Sequence, residues 1–321
     1  MTLIDLPLWF IRGFAVLFGL LWGSFLNVVI YRVPRGQSVV SPPSHCPKCN
    51  KPIRAWQNFP VFSYVLLRGR SACCGERISP RYPMVELIGG VLSLAIVELV
   101  VLPLPQPQTS LARAAFLYLP SFAFALFLVS TAFIDLEHMV ILPDKANAAF
   151  AILGVATATV RGFTIVETLI GAGVGLGVGF AINAVYKVLR GRSGFASGDS
   201  ILLGVIGAWF GFAGALFALF AGAIQGVFIL IVMRLLGGKV EEPDAVKRER
   251  EEILAEIEKL PEDEREEALR EWRADDELAD NPGEGMQAPL PFGPFIAIAG
   301  LELVLFMPTL KEAFVAFTSA G

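Results

Sequence analysis

The sequence predicts an all-α polytopic membrane protein of about eight transmembrane helices, with a small cytoplasmic cysteine domain of the zinc type between the first two. Three observations carry this expectation. The 321 residues are 55% hydrophobic, with a mean hydropathy of +0.62, where soluble domains are about 45–50% apolar. The apolar residues gather into runs near the roughly 20 residues that a span needs, and only 17% of the chain is charged. All four cysteines, Cys46, Cys49, Cys73 and Cys74, fall in one polar stretch. A soluble protein with a single anchor is excluded.

The elements follow in order. The first apolar stretch, 8–30, has only Asp5 and Arg12 before or within it. It lacks the basic start and small-residue cleavage pattern of a secretory signal, so it reads as a retained span. A polar segment, 31–82, follows. The second span is about 83–103 and the third about 113–134. A short polar stretch, 135–145, leads to a fourth span at 146–160. The fifth, 164–186, carries Gly171, Gly173, Gly175, Gly177 and Gly179, small residues that let helices approach closely. The run 200–236 is long enough for two short spans with a turn near Gly211–Gly214. The segment 239–286 holds 19 acids against 8 Lys or Arg, so the rest of the chain is net basic. Within it Ile253, Leu254, Ile257, Leu260, Leu269 and Trp272 recur at near-helical spacing, with a break at Pro261. This reads as a solvated helical hairpin or as a docking surface for a partner. The last span is about 292–318. The domains are therefore 1–30, the first helix; 31–82, the cysteine domain; 83–238, the transmembrane core; 239–290, the charged insertion; and 291–321, the last helix.

Charge orients these spans. Segment 31–82 holds nine Lys or Arg, which places it in the cytoplasm. Counting spans from there puts 135–145 and Lys187–Ser197 on the same face, and Lys187, Arg190 and Arg192 agree independently. Asp135, closing span three, and Asp199, opening span six, thus reach one cytoplasmic face.

A carboxylate at the mouth of a membrane helix is costly and is usually there for a function. Two of them close together cannot both ionise cheaply, so one holds a proton while the other stays charged. The charged member can activate a water and the neutral one can protonate a leaving amine, which is aspartic peptide hydrolysis. Each acid also has a plainer reading: Asp199 as a helix N-cap, Asp135 as an interfacial carboxylate. Glu137 and His138 beside Asp135 suggest a metal site or a solvated cluster, and Asp144 reads as a cap. Four thiolates in the pairs Cys46/Cys49 and Cys73/Cys74 suit tetrahedral zinc; free thiols or a redox pair are the alternative, and disulfides are disfavoured in a reducing cytoplasm.

At this point the residues resemble those of the bacterial type IV prepilin leader peptidases, which also process type II secretion pseudopilins. The resemblance rests on Gly23-Ser-Phe-Leu-Asn-Val-Val-Ile30, on Cys46-Pro-x-Cys49 with Pro52-Ile-Arg54, Asn58-Phe-Pro60, Arg68-Gly69, Ile78-Ser-Pro-Arg-Tyr-Pro83 and Glu86, on Ile134-Asp135, His138 and Leu142-Pro-Asp144, on Gly198-Asp199, and on Pro291-Phe-Gly-Pro294. It implies that Asp135 and Asp199 are catalytic. It implies cleavage of a prepilin leader after glycine, at the cytoplasmic face of the bacterial inner membrane. It also implies N-methylation of the new N-terminus with S-adenosylmethionine, structural zinc on the cysteines, and a prepilin or pseudopilin helix as substrate; no nucleic-acid partner is expected. The chain departs from the family pattern in three places. Ala196 stands where G-x-G-D begins with glycine. Ser71 stands where a second C-x-x-C would begin, with Cys73 shifted inward. The insertion 239–286 is large. Two other classes remain open on residues alone: a transporter that uses paired acids as an ion relay, and an assembly protein docking through 239–286.

Overall fold

The computed structural model describes residues 5–46, 48–104, 110–190, 195–237, 244–275 and 291–319. Its helices are α1 (Leu8–Arg32), α2 (Phe62–Leu66), α3 (Arg81–Ile96, continued by a π-helical turn, Val97–Val101), α4 (Leu111–His138), α5 (Asp144–Ala156), α6 (Ile165–Arg190), α7 (Ser197–Leu235), α8 (Asp244–Ile257), α9 (Glu262–Asp275) and α10 (Gly293–Ser319). Among the described residues five helices are long and apolar enough to cross a membrane: Leu8–Arg35, Arg81–Val101, Leu111–His138, Ile165–Leu189 and Ser197–Leu235. The protein is multi-pass. The expected fourth span is shorter than anticipated: α5 has 13 residues, roughly 20 Å of helix against a hydrocarbon core of about 30 Å.

The chain forms two compact units. The first comprises 1–130, 159–162 and 301–321; the second comprises 131–158 and 163–300. In the first, α1 lies on α3 with backbone against backbone. A Cβ on Gly23 would stand 2.8 Å from the Cα of Glu86, and one on Gly89 would stand 2.9 Å from the Cα of Gly23. Ser93 on α3 donates to the Ala15 carbonyl of α1 and pairs with the Tyr118 hydroxyl of α4 at 2.6 Å. The Phe18 and Phe122 rings, 5.6 Å apart, join α1 to α4. Between α1 and α3 sits the cysteine lobe, built from loops and two isolated bridges, His45 with Pro52 and Arg70 with Arg77.

In the second unit α6 packs on α7. Cβ atoms on Gly171, Gly175 and Gly179 would collide with Gly207, Leu203 and Ser200 respectively, whereas Gly173 and Gly177 meet nothing within 4 Å. The helical period therefore selects every other glycine of the series for contact. Trp209 of α7, almost fully buried, packs over Gly154 of α5 and donates from Nε1 to the Phe150 carbonyl at 2.8 Å.

A straight α7 of 39 residues would run roughly 58 Å. It is broken at Gly211, at φ 71 and ψ −173, a conformation that only glycine adopts readily. Gly222 and Gly226, beyond the break, lie against Ile296 and Phe295 near the start of α10, and Gly293 at that same start lies beside Asp199. Residues 199 and 226 would be roughly 40 Å apart on one straight helix, so the chain turns back at Gly211. The turn anticipated near Gly211–Gly214 falls at Gly211, but the first half of α7, residues 197–210, is roughly 21 Å long and, like α5, short of a bilayer crossing. α8 and α9 break at Pro261, where the Arg265 guanidinium donates to the Glu258 and Leu260 carbonyls at 2.7 and 3.2 Å.

Gly175→Ala should lower the thermal midpoint of the detergent-solubilised protein, because the added methyl overpacks the α6–α7 contact at a cost on the order of 1–3 kcal/mol. Gly177→Ala should leave the midpoint unchanged or slightly raised. Equal effects at both positions would contradict this packing.

Candidate functional site

Asp135 lies in the last turn of α4, and Asp199 in the first turn of α7. Each is only 7% exposed. They meet at the start of α10. A Cβ on Gly293 would stand 2.5 Å from Asp135 Oδ2 and 3.4 Å from Asp199 Oδ1, so both carboxylates converge on one point that glycine alone leaves open. The Gly293 N–H donates to the Asp135 carboxylate. The positive ends of two helices, α7 and α10, thus face the pair, which favours a negative charge there.

The surroundings fix these positions. α4 stops just past Asp135, where Met139 takes φ 52 and its N–H reaches the Asp135 carbonyl at 2.9 Å. Asn147 donates from Nδ2 to the Leu142 carbonyl at 2.6 Å, pinning the following loop. That loop crosses the start of α7, where a Cβ on Gly198 would lie 2.7 Å from Ile141; the glycine before Asp199 is therefore required by close approach. The Phe195 and Phe292 rings meet edge to face at 5.7 Å, tying together the residues that enter α7 and α10. Ala196 is the N-cap of α7 at φ −65 and ψ 142, exposed and in backbone geometry open to any residue. The missing first glycine of the family motif thus meets neither strain nor a clash. Asp199 sits inside the first turn, not at the N-cap. Asp144 likewise follows its N-cap, Pro143.

Among the described residues the one grouping of ligand atoms close enough to hold a metal is the cysteine cluster; Asp135, Glu137 and His138 do not converge on a common point. The four sulfurs lie within 4.8 Å of one another. Cys46 to Cys74 is 3.6 Å, Cys49 to Cys73 is 3.2 Å, and Cys73 to Cys74 is 4.0 Å. Tetrahedral zinc with bonds of about 2.3 Å spaces its sulfurs by about 3.8 Å, so the donors fit the ion. Adjacent Cys73 and Cys74 both reach the centre because the chain turns tightly there, with Gly75 at φ 72 and its N–H on the Ser71 carbonyl at 2.8 Å. Ser71, in the place of a family cysteine, keeps its hydroxyl 2.9 Å from the Cys73 sulfur. A Lys48–Glu76 ion pair joins the two cysteine turns.

Sequence reasoning missed Gly293 as part of the site. The motif Pro291-Phe-Gly-Pro294 was the available signal, but nothing in it says that its glycine meets two acids far away in the chain.

Residues 17–100 match the bacterial peptidase A24 N-terminal domain, and residues 122–231 match the type IV leader peptidase family. The prepilin leader peptidase/N-methyltransferase of Neisseria gonorrhoeae is 37% identical over 250 residues, covering 70% of this chain and 83% of that protein. The protein of the same name from Myxococcus xanthus is 33% identical over 341 aligned positions, covering 97% of this chain and 96% of its own. That of Dichelobacter nodosus is 30% identical, covering 94% and 93%. No solved structure gave a significant match.

Zinc loading should release protons. The Cys49 N–H, followed by the Ser71 hydroxyl, lowers Cys46 to about 6, so it is largely thiolate at pH 7. Cys49 accepts from the Lys51 N–H, which lowers it. The Cys73 thiol, burial and the Cys46 and Cys74 thiols outweigh that and hold it up at about 11. Zinc takes thiolates, so binding at pH 7 must expel the Cys49 proton, and affinity should rise with pH. Calorimetry of zinc loading in buffers of different ionisation enthalpy measures this release; a value of zero would contradict the site. Cys46→Ser and Cys74→Ser should each lower the zinc content.

Proposed function

The chain belongs to the type IV leader peptidase family, and from that footing we propose that it cuts the leader from type IV prepilins or type II secretion pseudopilins after glycine and N-methylates the new N-terminus. The observation that carries the peptidase reading is the convergence of Asp135 and Asp199 beside Gly293 at the ends of apolar helices. We assign Asp135 and Asp199 as the catalytic pair. One carboxylate, charged, takes a proton from water as the oxygen attacks the scissile carbonyl. The other, protonated, gives its proton to the departing amine as the C–N bond breaks. The N-termini of α7 and α10 favour the charged member.

The cluster of basic residues in 31–82 supports a cytoplasmic setting for the cysteine domain, and with the count of spans it supports a cytoplasmic-face, inner-membrane setting for the acids. The functional division proposed is a zinc-type domain at 31–82, a peptidase core at 83–238, a charged insertion at 239–290 and a last helix from 291 whose first residues complete the acid site. Cys46, Cys49, Cys73 and Cys74 would hold the zinc and tie the loops of their lobe together. S-adenosylmethionine, when bound, would supply an electrophilic methyl group for the new N-terminal amine. The transporter reading finds no support in the relatives.

Asp135→Asn and Asp199→Asn should each reduce leader removal from a purified prepilin by roughly a thousandfold or more, with the thermal midpoint retained. Gly293→Ala should reduce it about tenfold or more by displacing the carboxylates. Full cleavage by either Asn variant would refute the catalytic pair.

A further inference from the structure

The first unit contains a cavity of about 430 Å³, bounded by α1, α3 and the cysteine lobe. Small-molecule sites have this size. None of its lining residues lies in the unit that carries Asp135 and Asp199, so the peptidase chemistry does not account for it.

Its floor is built from buried hydrogen-bond acceptors. Asn27 is 3% exposed and Glu86 is 9% exposed. The Asn27 Nδ2 donates to the Tyr82 carbonyl at 3.0 Å and to the Gly23 carbonyl at 3.5 Å, which fixes the amide orientation. Its Oδ1 is buried and accepts nothing, a costly state for an amide oxygen. Glu86 Oε2 accepts from the Val61 N–H at 2.7 Å. Val61 stands at φ 60, a strained position for a β-branched residue, and this hydrogen bond ties it to Glu86. Tyr31, Tyr64 and Tyr82 supply aromatic walls, and exposed Arg77 stands among the lining residues.

A floor of a carboxylate and an unused amide oxygen calls for a ligand with donors and positive charge. Arg32 and Arg77 also line the cavity beside Glu76 and Glu86, so it suits a zwitterionic ligand that brings a cation and donors at one end and a carboxylate at another. We propose that this cavity is the binding site for S-adenosylmethionine, a cation carrying an ammonium group, ribose hydroxyls and an adenine amino group. Asn27 and Glu86 accept from its donors, the tyrosines flank its flat ring, and Arg77 takes its carboxylate. Cys46 and Ser71 also line the cavity, so the metal lobe shapes its wall, and zinc removal should weaken binding. This site rests on the methyl-transfer half of the function proposed above.

The test is calorimetric titration of the full-length, zinc-loaded protein in detergent with S-adenosylhomocysteine, which needs no turnover. Glu86→Gln and Asn27→Leu should weaken binding about tenfold or more, and Arg77→Ala several-fold. Because Glu86 also supports Val61, a second measurement uses no variant. Ultraviolet crosslinking of radiolabelled S-adenosylmethionine to the unaltered protein should label peptides within 24–37 or 44–86. Binding that is unchanged in all three variants, or label found elsewhere, overturns this site while leaving methylation standing. A protein that removes leaders but neither binds the nucleoside nor methylates overturns the methylation reading and this site with it.

Discussion

Two carboxylates repel each other and resist leaving water, yet Asp135 and Asp199 are brought to a single point beside Gly293. Much of the second unit can be understood as the means of holding them there. α4 ends three residues past its acid, and α7 begins two residues before its own. Each carboxylate therefore sits where a helix terminus, not the middle of an apolar wall, receives it. The start of α10 closes the arrangement with a backbone N–H instead of a side chain, so charge is met by a donor that cannot itself titrate or swing away. The glycine contacts of α6 on α7 and of α7 on α10 serve the same end, since they leave the helices little freedom to slide apart.

The cysteine lobe solves a different problem. It has almost no regular structure, and its exposed apolar side chains include Trp56, Phe59 and Phe62, so it cannot rely on a core of its own. The Lys48–Glu76 pair and the turn at Gly75 tie it together instead, and the four converging sulfurs would do so through a bound ion. The lobe is also anchored to the paired helices below it by Glu86, which reaches from α3 to the Val61 backbone.

Much of this was legible in the residues. Apolar runs gave the helices, the span count put both acids at helix ends that the fold brings together, and the spacing of the cysteines gave a cluster that could hold a metal. What escaped was set by contacts that have no local mark. Gly293 lies far along the chain from both acids, and its role appears only when three helix ends meet. The five alternating glycines of α6 look equivalent in sequence, but the helical period sends 171, 175 and 179 to the partner helix and turns 173 and 177 outward. The inward shift of Cys73 beside Cys74 has no local mark of its effect, and only the turn from Ser71 to Gly75 brings both sulfurs to one point. The alanine at 196 departs from the motif, but its backbone is ordinary and its side chain is exposed. α5 fell short because a hydropathy run shows where a helix is apolar, not where its backbone leaves the helical path.

The break at Gly211 has a consequence for where the later chain can return. A helix that kept going would carry Gly226 roughly 40 Å from Asp199, and the start of α10 that packs on it would go with it. The site would then lack its third wall, with two acids on one side and their glycine on the other. A single residue in a conformation that side chains resist thus brings the start of α10 back to the acids. The handedness of one backbone position decides whether the acid pair is assembled at all.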